Sequence, residues 1–214
     1  MAQFSGSITA EMCEARFAFS GKVASVKKRS GDSVKRGEVI ATLDRTILQA
    51  ELERQLADYE KVRADFDTFT KKSSDSTDEA SKFAKQARQA QLNASVKEVE
   101  LAKYRVDQAD LISPVDGMIQ NLEGLSPGQY IAPSGSAVKI IITDTLKFVF
   151  EVNQGDLRSF MSSVKIKIRL HGIDKEYSGM TRIPVWGEDG KFPIAVDLED
   201  KSNLLPGLQG EVFT

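Results

Sequence analysis

Apolar and polar positions alternate over short distances through residues 17–43 (FAFSGKVASVKKRSGDSVKRGEVIATL), with Val23, Ser25 and Lys27 set against Ala24 and Val26. This pattern, broken by glycines, predicts β-strands joined by tight turns. At Thr46 the period changes. Leu48, Leu52, Leu56, Tyr59, Val62, Phe66 and Phe69 follow one another in steps of three or four, the spacing of one helical face. A helix of about 27 residues is predicted, which Asp44 can cap, with Thr46 and Gln49 as an alternative capping box. A polar break follows at Lys71–Glu79, where Ser76 and Glu79 have the spacing of a second capping box. Phe83, Ala87, Ala90, Ala94, Leu101 and Tyr104 then predict the inward face of a second helix running toward Ala109 and ended by Ser113-Pro114. Two such helices back to back predict an antiparallel hairpin of roughly 40 to 50 Å, too long to wrap a small core and so expected to project from the body.

Strand-type composition returns at residues 111–142, and it echoes the first segment. Gly21-Lys22-Val23 parallels Gly117-Met118-Ile119, and Gly31-Asp32-Ser33-Val34 parallels Gly128-Gln129-Tyr130-Ile131. Two imperfect copies predict two halves of one β-domain with the helices inserted between them. Beyond them LKFVFEV, VKIKIRL, YSGMTRIPV and FPIAVDL read as strands of a small barrel or sandwich, with a short helical candidate at Asp156–Ser162.

Charge narrows the functions available. A formal net charge of −2 removes the electrostatic case for a nucleic-acid partner. Residues 45–109 carry 12 basic and 12 acidic side chains, as helices wetted over most of their circumference do. No apolar run exceeds three residues, so no segment has the length needed to cross a bilayer as a helix. The lone cysteine, Cys13, excludes an intramolecular disulfide or a cysteine-rich zinc site. His171, the sole histidine, lacks the partners a Ser-His-Asp or histidine-rich metal site needs and reads as a turn residue, while Trp186 reads as a barrel residue. No metalloprotease, P-loop or EF-hand pattern occurs. Neither a cofactor nor an enzymatic activity is expected.

With these features in view, the sequence resembles the HlyD-like membrane fusion proteins, the periplasmic adaptors of tripartite efflux pumps. The resemblance rests on Phe19-Ser20-Gly21-Lys22-Val23, on the run from Gly31 to Asp44 (GDSVKRGEVIATLD), on Ile112-Ser113-Pro114-Val115-Asp116-Gly117 and on Leu205-Pro206-Gly207-Leu208-Gln209-Gly210-Glu211-Val212. It implies a mainly β fold with an inserted α-helical hairpin: a lipoyl-like domain in two halves (17–44 and 110–143), the hairpin (45–109) and a β-barrel domain (144–214) joined by a strand at 4–15. It further implies a non-catalytic periplasmic subunit, associated with the inner membrane, that links an inner-membrane transporter to a TolC-like outer-membrane channel. Self-association into a ring, hexameric in the assembled pump, belongs to the same expectation. The hairpin length favours an RND-type transporter over an ABC or type I secretion system. Such adaptors usually also carry a membrane anchor and a membrane-proximal domain, which are not visible in this sequence and are expected to be absent from the chain.

In adaptors of this kind the hairpin tip often carries R-x-x-x-L-x-x-x-x-x-x-S. Here Arg63 and Ser74 stand at the required separation, while Asp67 replaces the leucine. Arg63, Asp67 and Ser74 are therefore the candidate channel-contacting residues. Two readings stay open: a contact with the channel, in which Asp67 offers a carboxylate, and a local i,i+4 pair between Arg63 and Asp67 beside a polar turn. A lipoyl or biotinyl carrier is the rival from another class. It needs one exposed lysine on a tight turn between the halves, but no M-K-M or D-K-A triplet occurs, and Lys27, Lys28 and Lys35 read as solvated edge or turn residues.

Overall fold

The computed structural model describes residues 3–72, 79–122, 124–135, 137–184, 187, 189–202 and 204–213. In chain order the strands are β1 (Gln3–Thr9), β2 (Met12–Ala15), β3 (Gly21–Val26), β4 (Ser33–Val34) and β5 (Val39–Leu43). Two helices follow, α1 (Thr46–Lys72) and α2 (Glu79–Asp107). The remaining strands are β6 (Asp110–Ile112), β7 (Gly117–Asn121), β8 (Tyr130–Ile131), β9 (Val138–Ile141), β10 (Lys147–Asn153), β11 (Lys165–Leu170), β12 (Glu176–Thr181), β13 (Lys191–Leu198) and β14 (Gln209–Phe213).

The two sequence copies interlock. One four-stranded sheet has the order β2-β9-β7-β4 and the other β6-β5-β3-β8, so the first copy lends β4 to β7 of the second, and the second lends β8 to β3 of the first. The exchange is nearly symmetric at the level of single bonds. Gly31 N–H donates to the Ile119 carbonyl at 2.7 Å and Gly128 N–H to the Val23 carbonyl at 2.8 Å, while Ile119 and Val23 return bonds to Asp32 and Gln129. Both turns need a glycine, because Gly31 (φ 92°) and Gly128 (φ 88°) lie in the left-handed region. The apolar faces of the two sheets share one core, with Val23, Ile40, Leu43, Leu111, Ile119, Val138 and Ile140 fully buried.

The C-terminal strands close a six-stranded antiparallel barrel, β1-β10-β13-β12-β11-β14. Alternation does the work: in β11 Ile166, Ile168 and Leu170 are buried while Lys165, Lys167 and Arg169 face water. Phe148, Phe150, Ile194, Val196 and Val212 fill the interior. The segment Asp156–Ser162, expected to be helical, forms a single 3-10 turn at Leu157–Phe160, held short because Phe160 turns inward and meets Phe150 and Phe4 edge-on at ring separations of 5.4 and 5.7 Å. Closure depends on two facing glycines, Gly6 on β1 and Gly210 on β14. A methyl group on Gly210 would lie 2.6 Å from the Arg169 carbonyl oxygen of β11, so β14 tolerates no side chain there.

Two expectations about strands are corrected. Residues 4–15 do not form one barrel strand: β1 closes the barrel, and after Ala10-Glu11 the chain crosses to pair β2 with β9. The strand expected through YSGMTRIPV stops at Thr181, two residues after Gly179 pairs with Leu198 and short of Pro184, which has no N–H to give a ladder.

α1 starts where Asp44 accepts hydrogen bonds from the Thr46 backbone N–H (2.9 Å) and hydroxyl (2.7 Å), the capping role expected of it. The two helices run antiparallel, since Arg105 near the end of α2 acts on Glu51 near the start of α1, and Arg88 stacks on Phe69 at the other end. At 1.5 Å per residue each is about 40 Å long. Above their roots the helices pack chiefly against one another.

Candidate functional site

No cluster of three or more metal-ligating side chains occurs among the described residues. The candidate site is instead the surface of the helix pair, and its phase decides which residues it offers. On α1 the half-buried Leu48, Leu52, Gln55, Tyr59, Val62, Phe66 and Phe69 form a regular heptad seam, with Glu51 and Thr70 half-buried beside it. This is the predicted face except at one step. Leu56 is 41% exposed and Gln55 takes its place, donating to Glu51, which also receives Arg54.

On α2 the predicted face is the wrong one. Phe83 is 64% exposed and Tyr104 59%, and Leu101, Ala87, Ala90 and Ala94 also face water. The seam lies on nearly the opposite side of the helix, on Ala84, Leu92, Val96, Val99, Ala102 and Val106. The cause is at the root. Ala109 is fully buried and continues into the buried Leu111 of β6, which fixes the helix phase so that Val106 and Ala102, one and two turns earlier, must point inward. α2 therefore carries two apolar stripes, one spent on α1 and one left on the outside. Lys82, Lys85, Gln86, Gln89 and Asn93 flank the outer stripe and line a shallow groove along it with Ala90.

Arg63 and Asp67 sit on the wet side of α1, next to the seam residues Val62 and Phe66. The Arg63 guanidinium approaches the Asp67 carboxylate at 4.0 Å, beyond hydrogen-bond distance, and both side chains are more than half exposed. The i,i+4 pair exists, but it is too loose and too wet to hold either group. Ser74, the third candidate, lies outside the described residues, as does Ser76 of the expected second capping box. Sequence reasoning missed Arg88, whose guanidinium lies 4.6 Å from the Phe69 ring centre across the seam. The signal available was a cation at a seam-spaced position opposite an aromatic residue.

The lysines weighed for a carrier role are otherwise engaged or simply solvated. Lys28 pairs with Glu38 and donates to the Ser33 carbonyl at 3.1 Å, and the turn at Lys35 is closed by its own N–H on the Glu38 carboxylate at 2.9 Å. Those bonds hold Glu38 below the usual carboxylate range, the Lys28 contribution being the larger. His171 is exposed, 3.8 Å from Glu211. Cys13 is half-buried on β2, and Trp186 lies outside the described residues. Among the described residues no helix is long and apolar enough to cross a membrane.

The six-stranded barrel, the two sheets built from exchanged half-repeats and the long antiparallel helix pair inserted between the halves make up a fold shared with solved structures described as a membrane fusion protein and a periplasmic adaptor protein. The chain covers 99% of its own length on a MacA-MexA chimera containing the Pseudomonas aeruginosa MexA α-hairpin domain, matching 79% of that chain at a TM-score of 0.80 and 16% identity. It matches the membrane fusion protein Spr0693 of Streptococcus pneumoniae R6 over 100% of itself and 98% of that chain, at a TM-score of 0.77 and 13% identity. At such identities the likeness is one of fold. In sequence the chain is 25% identical over 138 residues to an uncharacterized protein of Haemophilus influenzae, covering 64% of this chain. It spans about a third (35%) of that relative's length. No family model matches it.

Proposed function

We propose that this chain is the periplasmic adaptor part of a tripartite efflux assembly, joining an inner-membrane transporter to a TolC-like outer-membrane channel by assembly and without catalysis. The observation that carries the reading is the second apolar stripe of α2. A helix pair that needed only to fold would leave that face polar, as solvated helices do. Here Phe83, Leu101 and Tyr104, with Ala87, Ala90 and Ala94 between them, repeat at heptad spacing on a surface with no partner among the described elements. Such a face fits the flank of a second helix pair, and helix pairs packed flank to flank close into a ring. In this reading the helices are the adaptor hairpin, the paired sheets the lipoyl-like domain and the six-stranded barrel the module facing the transporter. Six subunits would form the ring, seating Arg63, Asp67 and Ser74 against the channel. The wet, weakly paired Arg63 and Asp67 are free for such a contact, at little desolvation cost. Among transporters an RND type is favoured by the length of the helices, and an ABC or type I secretion partner is the alternative.

The test is crosslinking of the chain in detergent-solubilised envelope, followed by identification of what is captured. Co-capture of an inner-membrane transporter and an outer-membrane channel is expected, with the transporter's class settling RND against ABC. Capture of neither, or a mass increase from lipoate or biotin on a lysine, would overturn the proposal.

A further inference from the structure

The chain passes between the sheets and the helices twice, and each crossing is very short. β5 ends at Leu43 and α1 begins at Thr46, while α2 ends at Asp107 and β6 begins at Asp110. Arg45 stands in the first crossing and Asp110 at the end of the second, and they form an ion pair with side chains 29% and 24% exposed. Asp110 also accepts a hydrogen bond from the Thr42 hydroxyl on β5 at 2.8 Å. The paired guanidinium and the hydroxyl hold the Asp110 carboxylate below its usual range even though burial, the largest single influence, pushes the other way. Beside this group the two crossings share a backbone bond, Leu43 N–H to the Ala109 carbonyl at 2.8 Å, and Leu48 leans on the sheet core.

Beyond these, the first crossing is tied to the sheet by the Asp44 N–H bond to the Lys22 carbonyl at 2.8 Å, a single backbone bond about which the helix pair can still turn. No residue of α1 is buried and Ala102 is the one buried residue of α2, so the apolar grip on the sheets is confined to the root. The backbone bond and Leu48 can act as a pivot, since neither controls direction. The ion pair does control direction, because it is a second tie between the crossings beside the backbone bond, anchored to β5 through Thr42, and two ties fix an angle that one bond leaves free to rotate. We propose that Arg45, Asp110 and Thr42 form a polar latch that sets the angle of the helix pair to the sheets, and that opening it turns the root into a hinge. Arg45 adds a reason why the latch can open: its Nε is buried with no hydrogen-bond partner among the described residues. That orphaned donor offsets part of what the ion pair contributes, and it regains water when the pair separates. The inference stands on the root geometry and does not depend on the adaptor reading.

Spin labels report the angle directly. With Cys13 replaced by alanine, one label at Gln86→Cys on the wet face of α2 and one at Lys27→Cys beyond β3 are read by pulsed electron resonance. The parent protein is expected to give one narrow distance distribution, and Arg45→Gln or Asp110→Asn to widen it at least twofold. The exchanged pair Arg45→Asp with Asp110→Arg is expected to narrow it again. A second label pair within the sheets, Lys27→Cys with Lys139→Cys, is expected to stay unchanged throughout. Equal widths in the parent and both single variants would overturn the latch. So would a double variant as wide as the singles, or broadening of the sheet-only pair, which would mean that these residues support the sheets and not the angle.

Discussion

At the scale of single residues, exposure separates side chains that hold the fold from those free to meet a partner. Phe148 is fully buried in the barrel among Phe150, Ile194 and Val196. Phe148→Ala is expected to cost about 3–5 kcal/mol, combining lost burial with the cavity left behind, and chemical denaturation followed by far-ultraviolet dichroism measures it. Arg63 and Asp67 behave in the opposite way. Their ion pair is 4.0 Å long and exposed, so Arg63→Ala is expected to change stability by less than about 0.5 kcal/mol. Under the adaptor proposal the same substitution lowers crosslinking to the outer-membrane channel. A variant that loses stability but keeps the crosslink would reverse both assignments. That a carboxylate stands four residues after Arg63 was legible in the sequence. Its looseness was not, because side-chain distances depend on rotamers that no spacing rule specifies.

At the scale of elements, α2 has two faces of similar apolar content and only one is used inside the chain. Ala102 is buried in the seam beside the root and Ala90 lies on the outer stripe. Ala102→Asp puts an unpaired carboxylate against α1 and is expected to lower the melting temperature and helicity. Under the adaptor proposal the chain self-associates through this stripe, and Ala90→Asp is then expected to leave the melting curve of the dilute chain unchanged while abolishing that association, which sedimentation velocity detects. If Ala90→Asp also melts the helices, the outer stripe serves the fold and not a partner. Gly210 belongs to this scale too, since it decides how closely β14 can lie against β11. Gly210→Val would collide with the Arg169 carbonyl and is expected to destabilise the barrel by about 1–3 kcal/mol.

Over the whole molecule, the carboxylates whose protonation is shifted are all shifted downward, most clearly where a cation or hydroxyl donates to them. Arg182 grips Asp197 through two bonds of 2.7 and 2.9 Å and holds it below the usual range. Asp110, Glu176, Glu199 and Asp200 are lowered as well, chiefly by their lysine, arginine and hydroxyl donors, against the burial of Asp110. A pKa lowered in the folded state stabilises the fold above the unfolded value and is lost as pH falls through the folded one. The protein is therefore expected to keep a level stability through neutral pH and to lose it progressively below about pH 4, the ordinary carboxylate range. Thermal melts at a series of pH values check this, and a rise in stability on acidification would contradict the ion-pair geometry.

The sequence by itself determined most local elements: the two long helices, the strands apart from those at 4–15 and 177–185 and the helix expected at 156–162, the cap at Asp44, the α1 seam apart from Leu56, the glycine turns at Gly31 and Gly128 and the repeat that contains them. These follow from periodicity and from the steric freedom of glycine, which act over a few residues and can be read in order along the chain. Tertiary structure alone decided which copies exchange strands, where residues 4–15 divide between barrel and sheet, and which stripe of α2 meets α1. It also brought Arg45 to Asp110, which flank the inserted helices 65 residues apart in sequence. Each of these depends on contacts between segments distant in sequence. For α2 the deciding contact is the burial of Ala109 at the root, which sets the phase of a helix whose two stripes are locally equivalent.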